Sequence, residues 1–190
     1  MKDADLTETE VASETVFQGR LLRVKRDTVR LHDGQAATRE YIEHGGAVMV
    51  IPQLDSGELL MERQYRYALR RHCLELPAGK IDPGEEPLAT AKRELLEETG
   101  YVAREWTYLA TIHPTVAYST ERILIYLARG LEHRGGKLDD GEHLQVLTLR
   151  LPELLERVRS GEIGDVKTVI GLFWLEKLLR GEWVAGAAAP

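Results

Sequence analysis

Glu94, Glu97 and Glu98 are spaced three and four residues apart in a segment, residues 87–99, that reads as helical. At about 100° per residue they fall within one arc of about 100°, apart from the apolar arc of Leu88, Ala91, Leu95 and Leu96. Like charges at these spacings destabilise a helix by about 0.2–0.5 kcal/mol per pair, and carboxylates near its C-terminus oppose the dipole. Stability does not favour such an arrangement. A hard divalent cation does, because Mg²⁺ takes oxygen ligands and keeps waters and a substrate phosphate in its shell. An isolated acidic run would read as a solvated face, but here residues 74–85 form a strand that breaks into a Pro/Gly-rich loop feeding the helix. Gly79 lets the backbone approach a metal or phosphate closely. Arg93 can neutralise and orient Glu85 or Glu97 through its planar fork.

Two further groups carry possible chemistry. Arg63, Arg66, Arg70 and Arg71 concentrate positive charge in an acidic chain. Arginine reads phosphate oxygens bidentately, and Arg66 is the expected phosphate or ribose contact, while Arg70 and Arg71 read as surface. Phe17, Tyr65, Tyr67 and Tyr118 are candidates to stack on a base, each also readable as packing. Asp139, Asp140, Glu142 and His143 form an acidic loop between two expected strands, which on composition alone is equally a solvated turn.

These side chains need a scaffold. A length of 190 residues gives one domain with room for a modest appendage. The apolar run 46–52 and residues 59–63, joined through the turn Asp55-Ser56-Gly57, read as paired strands. Residues 87–99 form a helix with Pro87 in its first turn and Gly100 as its left-handed cap. Strands are expected at 106–112, 121–128 and 144–149, and helices at 152–160 and 165–180, the latter opened by Asp165 and closed by Gly181. Residues 15–32 and 36–44 alternate apolar and polar around His32-Asp33-Gly34, an antiparallel hairpin or meander that is marginal alone and needs a partner surface. The expected division is an acidic flexible tail at 1–14, a β-subdomain at 15–44, the main domain at 45–183 and a frayed tail at 184–190. The fold class is α/β, a mixed sheet covered on both faces by helices with a small N-terminal antiparallel β-subdomain.

Composition narrows the function. Aromatics are 6%, too few for a stacking platform along single-stranded nucleic acid. With 25 Lys+Arg against 31 Asp+Glu there is no global basic field, so a phosphate-bearing ligand must be held locally or through a metal. Cys73 is the only cysteine, which excludes an internal disulfide and a thiolate metal cluster. No stretch approaches the roughly 18 apolar residues of a membrane span, and residues 1–14 have neither signal nor transit character. A cytoplasmic location is expected, with no nucleic-acid or membrane partner.

Gly79, five residues, Glu85, seven residues, then Arg93-Glu94-Leu95-Leu96-Glu97-Glu98-Thr99-Gly100 resembles the signature box of the Nudix hydrolases, which cleave nucleoside diphosphates linked to another group. Every fixed polar and glycine position is met; Tyr101 stands where the family usually has an aliphatic residue. Arg63-Gln64-Tyr65-Arg66 leading to residues 74–81, with Arg39-Glu40 in an N-terminal β-subdomain, resembles the ADP-ribose pyrophosphatase branch. The resemblance implies an α/β/α sandwich and Mg²⁺, with Mn²⁺ as a possible substitute, held by Glu94, Glu97, Glu98 and the carbonyl oxygen of Ala78. It implies substrate contacts at Arg39, Glu40, Arg66 and Gly79, structural roles for Glu85 and Gly100, and Arg93 and Glu97 in the catalytic set. It makes Glu142 the expected general base, with a box glutamate as competitor and His143 ranked below it. It also implies a homodimer built through the N-terminal subdomain. The expected reaction is hydrolysis of ADP-ribose to AMP and ribose 5-phosphate, with a GDP-mannose-type nucleotide sugar as rival substrate and a non-catalytic nucleotide-binding module as the rival of another class.

Overall fold

The computed structural model describes residues 6–136 and 143–186. The chain divides into two compact units, one of residues 6–45 with Thr115–Glu121 and one of Gly46–Pro114 with the described residues from Arg122 onward.

The larger unit is organised by strands too apolar to leave either face in water. β4 (Ala47–Pro52) is buried at every position. It pairs in parallel with β9 (Ile123–His133) and antiparallel with β7 (Ala78–Lys80), and β9 pairs antiparallel with β8 (Tyr101–Ile112), giving the order β7-β4-β9-β8. Because side chains alternate along a strand, the sheet feeds two cores. Met49, Ile51, Ile123, Ile125 and Leu127 join one cluster with Leu172 and Leu175, while Val48, Val50, Leu124, Tyr126 and Ala128 join another with Ala91 and Leu95. Ala91 and Leu95 lie on α1 (Pro87–Thr99), and Leu172 and Leu175 on α3 (Val166–Leu179). The sheet is thus sandwiched between helices. Gly171 lets α3 come close, since a Cβ there would lie 2.6 Å from Met49 Cε.

A second sheet, β10-β5-β6, is antiparallel, built from β5 (Leu59–Arg66), β6 (Arg71–Glu75) and β10 (Leu144–Leu149), and gives Leu59, Met61 and Leu74 to the first cluster. Helix α2 (Leu151–Arg159) adds Leu154. Both long helices have the expected ends. Gly100, at φ 77°, donates its N–H to Leu96 O at 2.9 Å, and the Asp165 carboxylate accepts from Thr168 N at 3.0 Å. β8 and β9 are longer than expected because each pairs with the other from Tyr101↔His133 to Ile112↔Ile123. Their distal halves carry Arg104, Glu105, Arg129 and Glu132, which hide the strand signal. No helix among the described residues is long and apolar enough to cross a membrane.

The smaller unit is a three-stranded antiparallel sheet, β1 (Thr9–Gln18), β2 (Arg23–Arg30) and β3 (Ala36–Glu43), in that order. The 15–32 segment is broken at Gly19, whose N–H donates to Leu22 O at 2.8 Å. The first strand begins at Thr9, inside the stretch expected to be a tail. Apolar content gives no hint of it, because all of β1 is exposed. Main-chain pairing from Thr9↔Arg30 onward holds it, helped by Arg39 donating to Glu8 and Arg26 lying 3.5 Å from Glu14. Among the described residues of this unit only Asp27 and Val29 are buried. Residues 1–5 and 187–190, parts of the two expected tails, lie outside the described residues.

Candidate active site

The strand–loop–helix segment delivers its side chains to one place in the larger unit. β7 is fixed by its register with β4, Val48↔Gly79 and Met49↔Ala78. Gly79 faces α1 so closely that a Cβ there would lie 1.9 Å from both Cδ and Oε1 of Glu94. The missing side chain is therefore the space Glu94 uses. Ala78 N donates to Glu98 Oε2 at 3.1 Å, tying β7 to the same helix.

Arg93 is the hub of the acidic residues. Its Nε and Nη2 donate to the two oxygens of Glu85 at 3.1 and 3.0 Å, its Nη1 to Glu94 Oε1 at 2.8 Å and Glu97 Oε2 at 2.9 Å. The guanidinium holds the Glu85 carboxyl at about 2, well below the usual carboxylate range. A fork satisfying both Glu85 oxygens fixes the loop against the helix, while the same group carries two of the cation-type glutamates.

Deeper lies a charge cluster that sequence reasoning missed. Glu62 of β5 and Glu75 of β6 stand opposite each other in register and are both 5% exposed. Burial alone would raise the Glu75 carboxyl, but Arg66 and Lys167 outweigh it and hold it at about 2. Arg66 donates Nε and Nη2 to the two Glu75 oxygens at 2.8 and 2.9 Å; Lys167 Nζ donates to Glu75 and, at 2.9 Å, to Asp165. Neither Glu62 nor Glu98 makes such an ion pair among the described residues. Burial pushes both carboxyls upward, and at Glu98 the charges of Glu62 and Glu94 add to it. The available signal was a glutamate continuing the apolar run Leu59-Leu60-Met61, and a lysine two residues after a helix cap.

Among the described residues no three His, Cys, Asp or Glu side chains already converge on one point; Arg93 draws Glu94 and Glu97 toward itself. The donor set nevertheless fits a hard divalent cation. It is all oxygen, it includes the half-buried Glu98 carboxylate, which has no ion-pair partner among the described residues, and Gly79 leaves backbone and Glu94 in close approach. Such a site could hold a cation against a phosphate, and Arg66 could add a guanidinium beside it.

Glu85, Arg93, Glu94, Glu97, Glu98, Ala78, Gly79 and the Gly100 cap are brought together as a single structure. Arg39 and Glu40 belong to the smaller unit, where they pair with Glu8 and, at 2.9 Å, Arg26. Asp139, Asp140 and Glu142 lie outside the described residues. His143 lines a cavity of about 380 Å³ with Arg63, Tyr65 and His72. By strand alternation Arg63 and Tyr65 point to the sheet face opposite Glu62 and Arg66. Tyr65 packs edge-on against His72 at 5.3 Å, Arg70 sits 3.5 Å over the Tyr67 ring, and Phe17 and Tyr118 are exposed.

Comparison with known proteins agrees with this geometry. The NUDIX domain family matches residues 43–166, and the nucleoside diphosphate sugar hydrolase N-terminal domain family matches residues 8–42. An ADP-ribose pyrophosphatase of Bacillus subtilis (strain 168) is 36% identical over 173 residues, covering 90% of this chain and 94% of that one. A methanol dehydrogenase activator of Bacillus methanolicus is also 36% identical, over 171 residues, covering 89% and 92%. The crystal structure of an ADP compounds hydrolase superposes with a TM-score of 0.85 at 26% identity, covering 95% of this chain and 98% of that one. The family match takes in the whole of the Arg93-centred box and more than half of the sequence, and the chain belongs to the Nudix hydrolase family.

Proposed function

We propose that the chain hydrolyses the pyrophosphate bond of a nucleoside diphosphate derivative in a Mg²⁺-dependent reaction, with ADP-ribose giving AMP and ribose 5-phosphate. The observation that carries the reading is the Arg93 hub, which gathers Glu85, Glu94 and Glu97 beside the Gly79 gap. The name of the Bacillus subtilis relative supports ADP-ribose as the substrate. Glu94, Glu97, Glu98 and the Ala78 carbonyl would hold Mg²⁺, or Mn²⁺ in its place. When bound, the ion supplies charge neutralisation at a phosphoryl oxygen and lowers the pKa of an attacking water.

The chain's own groups do the rest. Arg66, oriented by its Nε and Nη2 bonds to Glu75, uses its Nη1 to bind a substrate phosphate and meet the charge that builds on the equatorial oxygens. Arg93 aims Glu94 and Glu97 through its hydrogen bonds to both. Glu142 takes the proton of the water that attacks phosphorus. Gly79, without a side chain, lets the protein backbone approach a substrate phosphate closely, and Arg39 with Glu40 contributes to nucleotide recognition. Buried, unpaired Cys73 accords with a reducing, cytoplasmic setting.

Incubation with Mg²⁺ and ADP-ribose in ¹⁸O-water is the test. One labelled oxygen should appear in AMP or ribose 5-phosphate. No cleavage of ADP-ribose, with turnover of another nucleotide derivative, would reassign the substrate; no cleavage of any dinucleotide or nucleotide sugar would refute the hydrolase reading.

The smaller unit completes the proposal as a homodimer element. Leu6, Val11, Phe17, Leu21 and Val116 are all more than half exposed there, apolar surface that a second copy would cover. Deleting residues 1–44 should give a monomeric or aggregating protein with weakened substrate binding, read by light scattering and KM. A truncated protein that stays folded, monomeric and fully active would remove the dimer from the account.

A further inference from the structure

Glu62 lies outside the Nudix box and has no role in the reaction as derived above. It sits on β5, in register with Glu75, and is 5% exposed. Its Oε1 has no hydrogen-bond partner, while its carboxyl group is within hydrogen-bonding reach of Glu98. The positive groups nearest to it are committed elsewhere. Both nitrogens of the Arg66 fork go to Glu75, and Lys167 Nζ goes to Glu75 and Asp165. Glu98 also accepts a hydrogen bond from Ala78 N at 3.1 Å. A buried carboxylate and a half-buried one thus stand within reach of each other, neither in an ion pair among the described residues. A buried charge is tolerated only when something compensates it.

We propose that Glu62 and Glu98 form a two-carboxylate seat for one divalent cation, Glu62 being a ligand that the box does not contain. Oxygen-only donors, one from a strand and one from a helix, suit Mg²⁺ or Mn²⁺, with water and substrate oxygens completing the shell. The inference rests on the divalent-cation reading of the box, and the test separates the two.

The experiment is calorimetric titration of the intact protein with Mn²⁺, beside the melting temperature of each metal-free protein. Glu62→Gln should weaken one binding event at least about tenfold, the range seen when groups around a metal are altered. The double variant Glu62→Gln/Glu98→Gln should be no worse in that event than Glu98→Gln alone, since both remove one seat. Metal-free Glu62→Gln should melt at or above the native temperature, because an uncompensated buried acid has gone. Glu62→Met, similar in length and without charge, should lose the same event. Native Mn²⁺ affinity and stoichiometry in both Glu62 variants would overturn the inference, and so would unfolding of both without metal, which would make Glu62 a structural acid. If the native protein binds no Mn²⁺, the box reading falls together with it. If Glu97→Gln loses Mn²⁺ while the Glu62 variants do not, only the Glu62 seat falls.

Discussion

The sheet around β4 and β9 and the sheet of β1 to β3 use the same main-chain pairing and differ in what lies against them. Every residue of β4 is buried, and its two faces feed separate cores beneath α1 and α3. Every residue of β1 is exposed, and its unit buries only Asp27 and Val29 among the described residues. Burial contributes about 25 cal/mol per Å² of apolar surface, so the first sheet has a source of stability that the second lacks. Residues placed on the first sheet and its helices can therefore be held to the accuracy that chemistry needs, even as carboxylates that repel one another. Residues of the second sheet are held by hydrogen bonds and exposed ion pairs.

The sharpest way to break this contrast is to remove chemistry from the rigid unit without touching its packing. Glu97→Gln and Glu98→Gln keep the helix and its apolar face. Each should lower kcat by at least about a hundredfold through lost charge stabilisation, with an unchanged circular dichroism spectrum. Near-native turnover with unchanged Mg²⁺ dependence would make the carboxylate face a solvated surface.

A smaller effect is expected from crowding the same place. Gly79→Ala puts a methyl group where Glu94 now sits, 1.9 Å from its Cδ. Glu94 must move, and displacement of a catalytic group by about 1 Å costs on the order of a hundredfold. We expect a loss in kcat/KM of about tenfold to a hundredfold with KM for Mg²⁺ raised. A variant with native kinetics would show that Glu94 is free to sit elsewhere.

The third prediction concerns stability. Glu75 keeps a depressed carboxyl pKa, about 2, because Arg66 and Lys167 both face it. A folded value below the unfolded one adds stability that is present above the ordinary carboxylate range and is lost as pH falls toward about 2. Lys167→Met removes one partner, leaves Arg66 in place, and should cost about 1.5–3 kcal/mol at neutral pH, the worth of a hydrogen bond to a charged group. The acid midpoint of unfolding should rise, and the difference from native should shrink as Glu75 becomes protonated. A stability difference independent of pH would mean that Lys167 acts through packing of its stem.

The two units were legible in the sequence to different degrees, for the same physical reason that separates them. Where burial decides structure, pattern reveals the elements but not their partners: 46–52 and 59–63 read as paired strands, yet β4 and β5 lie in different sheets because each pairs with a strand distant in sequence. The 87–99 helix and the 144–149 strand fall on their expected residues, and Asp165 caps α3 as read. The box residues declared themselves because clustered like charges need an external cause. β1 was hidden because its stability comes from backbone pairing, which no side-chain pattern encodes. Glu62, Glu75 and Lys167 were hidden because they meet only through strand register and the docking of α3, contacts spanning up to 92 positions.

The last prediction addresses the smaller sheet, where the expected change in stability is least. Arg39 donates Nε to Glu8 at 2.9 Å, a pair with side chains 46% and 36% exposed. Exposed pairs of this kind trade modest Coulomb attraction against the entropy of holding two long side chains, and salt screens what remains. Arg39→Ala should therefore leave the melting temperature unmoved, and added salt should not separate the variant from the native protein. Its proposed role in nucleotide recognition requires something else to change: KM for ADP-ribose should rise while kcat and Mn²⁺ affinity stay native, since no group at the Arg93 hub is altered. Glu8→Ala serves as the control. It breaks the same ion pair, so a rise in KM equal to that of Arg39→Ala would trace the effect to the placement of β1, whereas a rise confined to Arg39→Ala would assign it to the guanidinium itself. A fall in melting temperature in both variants would show that the exposed sheet depends on its ion pairs more than its burial implies, and the contrast between the units would have to be redrawn around electrostatics.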